Sequence, residues 1–267
     1  MPQQLIVKPG DNVKLADYDP GYTGDHKDRN RAEQKIAEIQ EQLSELQELL
    51  YAENKHALLI VLQAMDTGGK DGTIRRVMSG VNPQGCDVRS FKVPSSEEAS
   101  YDYLWRAHRA VPPKGKIIIF NRSYYEDVLV VRVHDIFPKE VWSKRYNQIN
   151  DFERMLVENG TLVMKFFLHI SRDEQKERLE ARLKEPRKLW KFSEADVRER
   201  AFWDDYMEAY EDALSKCSTK WAPWHIVPAN RKWYRDLVVG ESIVKALKNL
   251  DMKYPEATVD PASIKLD

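Results

Sequence analysis

Five short runs along the chain are almost continuously apolar: ALLIVLQAM from Ala57, CDVRSFKV from Cys86, KIIIFN from Lys116, TLVMKFFLHI from Thr161 and PWHIVP from Pro223. A half-exposed strand alternates apolar and polar residues, whereas a strand covered on both faces does not. These runs therefore predict a buried, mostly parallel sheet. Between them the apolar spacing becomes helical. In VWSKRYNQINDFERMLVENG, Trp142, Ile149, Phe152 and Leu156 share one face and Gly160 is a stop. In SEADVRERAFWDDYMEAYEDALSKC, Trp203, Tyr206, Tyr210, Ala213 and Cys217 do the same after a Ser193 cap. Alternating strands and helices predict an α/β fold with right-handed crossovers, whose ligands sit beyond the C-terminal ends of the strands.

Earlier in the chain, Ile36, Ile39, Leu43, Leu46 and Leu50 are spaced 3, 4, 3, 4. That seam could pair two subunits, but two heptads are short for a coiled coil, and the favoured reading is a helix packed on its own domain. The first 30 residues are polar and turn-rich, which predicts an extended arm. One domain is expected over residues 31–250 and a tail over 251–267. A chain of 267 residues is long enough for one large core. Its 42 basic and 43 acidic residues leave a net charge of −1, so no whole-molecule field draws it to nucleic acid or to a membrane. Neither is expected as a partner, and a polyanion would need a local patch. Cys86 and Cys217 are far apart, which argues against a disulfide framework or zinc site and fits a reducing cytoplasm. No run approaches the ~20 apolar residues of a membrane span.

The candidate chemistry begins where the first apolar run ends. In DTGGKDGT, residues 66 to 73, Gly68, Gly69 and Gly72 precede a helical pattern. Glycines let the backbone aim its N–H groups inward, a helix N-terminus adds partial positive charge, and Lys70 supplies an ammonium. With Thr73 and Arg75, these residues form a candidate phosphate cradle. The usual phosphate loop carries Ser or Thr after its lysine to bind magnesium, but here Asp71 follows Lys70. Asp66 lies inside the loop instead. A carboxylate close to a phosphate is repelled unless a divalent cation lies between them, so Asp66 is read as the displaced metal ligand and Asp71 as a helix cap.

The second candidate is FNRSYYED, where Arg122, Glu126 and Asp127 follow the third strand pattern. Arginine there suits bidentate contact with a phosphoryl group, and an acid suits a metal or water held against it. An Arg122–Asp127 salt bridge that only stiffens the turn is the plainer alternative. The third, residues 171 to 192, holds eight basic and five acidic residues, with Arg178 and Arg182 on one helix face. Phosphoryl-transfer enzymes often carry a mobile cationic lid in such a place, although a mixed charged helix can also be a solvated face. Arg75, Arg76, Arg89 and Lys92 could extend a cationic groove.

Together MDTGGKDGT, FNRSYYEDVLVVRV, KFFLHISRDEQKERLEARL, KLWKF and APWHIVPANRKWYR resemble the polyphosphate kinase 2 family, over roughly residues 30 to 250. NRSYYED resembles the subgroup that acts on both AMP and ADP. The resemblance implies a P-loop kinase-like three-layer fold with a five-stranded sheet, helices on both faces and a helical lid at about 172–192. It implies inorganic polyphosphate as donor, AMP and ADP as acceptors, magnesium or manganese as cofactor, and a homodimer or homotetramer. Asp66 and Lys70 match the acid and lysine of the family's loop, Arg122 its arginine after the third strand, and Arg178, Arg182, Lys188 and Lys191 its lid. Asn121 departs from the acid of diphosphate-only relatives, which leaves Asp127 as the expected second metal ligand. Glu126, in place of Asn, is the expected determinant of acceptor size. An ATP-dependent nucleoside or nucleotide kinase and a non-catalytic polyanion-binding protein remain as alternatives.

Overall fold

The computed structural model describes residues 5–26, 28–259 and 264, and the side chains of Lys188 and Lys191 lie outside what it describes. The strands are β1 (Ala57–Gln63), β2 (Cys86–Ser90), β3 (Ile117–Asn121), β4 (Thr161–His169) and β5 (Trp224–Pro228). Among the described residues they form one sheet in the order β2-β3-β1-β4-β5. Every pairing is parallel. The helices are α1 (Arg29–Glu53), α2 (Lys70–Val77), α3 (Ser96–Ala99), α4 (Trp105–His108), α5 (Val130–Val133), α6 (Lys139–Glu158), α7 (Arg172–Lys184), α8 (Glu194–Glu199), α9 (Trp203–Lys216) and α10 (Lys232–Lys248).

β1 lies at the centre and every one of its residues is buried. Both faces of the sheet must therefore be covered, and two groups of helices cover them. α10 packs against α1, α2, β4 and β5, while α6 packs against β4 and α9, and α9 against α5. Ile36, Ile39, Leu43 and Leu50 are buried in this packing. The leucine seam thus packs within the chain, where α1 meets α10, with Leu46 half-buried.

One strand departs from the sequence pattern. β2 is an exposed edge, with Val88 41% exposed. β5 stays buried at the opposite edge because the N-terminal residues cover it: Ile6 bridges His225 in antiparallel fashion, and the Val7 amide donates to the Trp224 carbonyl. Leu5, Val7, Val13 and Leu15 are buried, so this arm is packed rather than solvated. The helix expected from Ser193 to Cys217 is also broken. Ser193 caps α8, a 3-10 turn follows over Arg200–Phe202, and the long helix starts at Trp203. The physical reason is burial, since α8 buries no residue and only the stretch with an apolar face against the core continues. Among the described residues no helix is long and apolar enough to cross a membrane.

Candidate active site

β1 and β3 are neighbours in register, with Leu62 opposite Asn121, so their C-terminal loops start side by side. The Arg122 amide donates to the Leu62 carbonyl, and Arg122 adopts a left-handed backbone with φ 60°. Its Nη2 then reaches Asp66 Oδ1 at 2.6 Å. Beside it, Asn121 Nδ2 donates to Asp71 Oδ1 at 2.6 Å. The two candidate motifs therefore converge on one cleft, a cavity of about 810 Å³. Asp71 is not the expected helix cap: the N-cap residue of α2 is Gly69, with no side-chain hydrogen bond, and Asp71 ties the helix's first turn to β3.

The glycines of the loop are required by contact. A Cβ at Gly68 would stand 2.5 Å from the Ala64 Cβ and 2.8 Å from the Met65 carbonyl oxygen. At Gly69, φ is 106° and a Cβ would meet the Arg235 guanidinium at 1.9 Å. Lys70 folds back on the same loop, its Nζ donating to the Ala64 carbonyl at 2.9 Å. Burial pushes the Lys70 ammonium down to about 8, and the Arg122 charge acts in the same direction, against Asp66, Glu126 and Asp71. Thr73 points inward, 1% exposed, and does not line the cavity, which corrects its assignment to the phosphate cradle. Its position one helical turn after Lys70 turns it towards the core.

Asp127 is also displaced from its expected role. It is 8% exposed, lies outside the cavity lining, and its Oδ1 accepts from Arg145 Nη1 at 3.1 Å, with Arg106 Nη2 at 3.9 Å from Oδ2. Burial pushes its carboxyl up to about 6, although Arg145 and Arg106 pull it down. A metal shared by Asp66 and Asp127 does not fit this placement, because Asp66 lines the cavity and Asp127 is buried outside it. The Arg122–Asp127 pair is absent for the same reason: Arg122 is paired with Asp66. Glu126 accepts from Gln63 Nε2 at 2.9 Å and acts on the charges of Arg122 and Lys70.

Behind the second loop lies a buried charged network. Lys165 and Glu153 are both fully buried, 2.6 Å apart, and Glu153 Oε1 accepts from the hydroxyls of Tyr124 and Tyr125 at 2.9 Å each. Lys165 also donates to the Cys217 carbonyl at 2.6 Å. Full pairing is what makes two buried charges tolerable. It anchors the turn Tyr124–Asp127 that follows Arg122.

Arg178 and Arg182 of α7 line the cavity, as does Arg75. Arg182 pairs with Asp196 of α8 at 3.3 Å. Arg76, by contrast, bridges to Glu33 at 2.5 Å, and Arg89 pairs with Asp87 at 2.6 Å, so neither belongs to the cleft. Sequence reasoning passed over Lys232 and Arg235, which line the cavity from α10. Arg235 is 2% exposed and held by Asp236 at 2.7 Å. The signal was present in NRKWYR: basic residues at helical spacing just after the fifth strand, at the end of the sheet where ligands bind. Tyr206 and Tyr210, read as core positions, also back the site. Burial pushes their hydroxyls up, and Glu126 and Asp66 push further in the same direction.

Among the described residues the cavity is lined by eight basic side chains and two acidic ones, Asp66 and Asp71. No cluster of three His, Cys, Asp or Glu side chains among these residues could hold a metal unaided. One loop carboxylate at a cationic phosphate cleft instead suits magnesium that takes its remaining oxygens from phosphates.

Comparison with known proteins agrees with this geometry. The family model described as Polyphosphate kinase 2 matches residues 26–255. An AMP/ADP-polyphosphate phosphotransferase of Meiothermus ruber is 52% identical over 251 residues, 94% of this chain and 94% of the relative. An ADP-polyphosphate phosphotransferase of Rhodopseudomonas palustris is 47% identical, over 96% of this chain and 93% of the relative. The crystal structure of Polyphosphate Kinase 2 from Arthrobacter aurescens superposes with a TM-score of 0.93 at 45% identity, covering 96% of this chain and 93% of that one. With the fold, the cleft and the full-length likeness in agreement, the chain belongs to the polyphosphate kinase 2 family.

Proposed function

We propose that the chain transfers a phosphoryl group from inorganic polyphosphate to AMP and to ADP, giving ADP and ATP. The observation that carries the donor is the cleft's charge: eight cations face two acids in a molecule whose net charge is −1. Such an excess suits a polyanion longer than a triphosphate. The acceptor range follows the Meiothermus ruber relative, with Glu126 beside Arg122 as the residue that sets acceptor size.

A terminal phosphate oxygen of the nucleotide attacks the terminal phosphorus of the donor. The bond from that phosphorus to the chain's bridging oxygen breaks, and the polyphosphate leaves one unit shorter. Phosphate oxygens are nucleophilic at neutral pH, so positioning and charge stabilisation supply the catalysis. Lys70 and Arg122 face the transferring group, the loop's N–H groups hold its oxygens, and Arg75, Arg182, Lys232 and Arg235 hold the donor chain. Lys188 and Lys191 belong to the same lid proposal, which spans about residues 172–192. Asp66 is the carboxylate that would hold magnesium, or manganese in its place; bound with the phosphates, the ion neutralises their charge. A homo-oligomer is part of the proposal.

Purified protein supplied with magnesium, polyphosphate and AMP tests the reading. Formation of ADP and then ATP is expected. No product from polyphosphate, with turnover on ATP and a nucleoside instead, would contradict it.

A further inference from the structure

The helix that overhangs the cleft is bonded to the cleft's floor. Gln175 of α7 is 1% exposed, and its Nε2 donates to the Asp66 carbonyl at 3.0 Å. One turn further on, Arg178 Nη1 donates to the Thr67 carbonyl at 2.9 Å. Two successive carbonyls of the phosphate loop are thus held by side chains three residues apart on one helix face. The base of α7 is itself anchored, because Arg178 Nη2 donates to the Ala229 carbonyl at 2.6 Å and the Ser171 amide donates to Asn230 Oδ1 at 3.0 Å.

In a trans peptide the N–H points opposite to the C=O. Holding the Asp66 carbonyl against α7 therefore turns the Thr67 N–H away from α7. The same constraint at Thr67 leaves the Gly68 N–H to close the turn on the Met65 carbonyl at 2.9 Å. Thr67 lines the cavity and has φ 63°, a left-handed conformation that a β-branched residue rarely adopts. Such strain persists only where the surroundings over-determine it. Gln175 and Arg178 are those surroundings.

We propose that Gln175 is a positioning residue for phosphoryl transfer, one that fixes the orientation of the Asp66–Thr67 peptide. If that peptide turned over, a carbonyl oxygen would replace an N–H and repel phosphate. The other end of Gln175 accepts from Arg200 Nη1 at 2.8 Å, which ties the loop to the turn that precedes α9. The inference rests on reading the cleft as a phosphate site.

Two variants test it. Gln175→Leu removes both bonds, whereas Gln175→Glu keeps the volume and the Arg200 partner and loses the donor to Asp66. Each is expected to lower kcat with polyphosphate and AMP about 10- to 100-fold, with the AMP KM changed less than about threefold. Hydrogen exchange needs no substrate: the amides of residues 67 to 69 should exchange at least about tenfold faster in both variants at pH 8, with β1 and α10 protected as in the parent. Unchanged kcat and unchanged loop exchange would overturn the proposal, as would a loss of protection spread over the whole sheet. Parent turnover with polyphosphate tests the underlying reading separately, and the exchange measurement tests Gln175 whether or not that turnover is seen.

Discussion

Lys70 is the residue on which charge stabilisation turns, and its surroundings give it a testable pH signature. Burial lowers its ammonium to about 8, so the charged form predominates at neutral pH and is lost as pH rises through that value. The expected kcat/KM for polyphosphate falls above pH 8, and Lys70→Arg, charged throughout, lacks that limb even at a lower rate. Lys70→Ala is expected to cost at least about 100-fold in kcat, a loss typical of removing one charge-stabilising donor. Asp127→Asn should behave otherwise. Its folded carboxyl, at about 6, lies above the unfolded value, so its contribution to stability grows as pH falls from about 6 towards 4 and is unfavourable at pH 7. Asparagine in its place should abolish that pH dependence in urea titrations. Turnover should fall less than about tenfold; a fall as large as that of Lys70→Ala would return Asp127 to the chemistry.

Neighbouring residues on one element can face different tasks, and α2 separates them. Arg75 lines the cleft and Arg76 bridges to Glu33 of α1. Arg75→Gln should raise the KM for polyphosphate several-fold, whereas Arg76→Gln should leave it unchanged and cost no more than about 1 kcal/mol, as exposed ion pairs do. Steady-state kinetics at one ionic strength separates the two. Which of two adjacent arginines enters a cleft was not legible in the chain, because it depends on where α1 lies. The loop itself was legible: glycine spacing, Lys70 and an inward Asp66 are local signals. Asp127 misled for the opposite reason, since Arg106 and Arg145, 21 and 18 residues away along the chain, meet it only through folding. The strand pattern likewise identified the sheet but not the exposure of β2, which depends on being an edge.

At the scale of the whole molecule, the parallel register of β1 and β3 places Asp66 against Arg122, and the buried Lys165–Glu153 pair fixes the turn behind it. Lys165→Met should destabilise the fold by about 3–5 kcal/mol, the cost of leaving a buried charge without its partner, as read from denaturant midpoints. A near-neutral protein with so cationic a cleft should also show a KM for polyphosphate that rises with salt, while the folded state is little affected. The identity of the donor and the acceptors can be read from products alone. With magnesium, long-chain polyphosphate and AMP as the only nucleotide, products are separated by chromatography over time. ADP is expected first and ATP after it, with phosphate lost from the polymer one for one; no nucleotide product under these conditions, with a folded protein, would exclude polyphosphate as the donor to AMP.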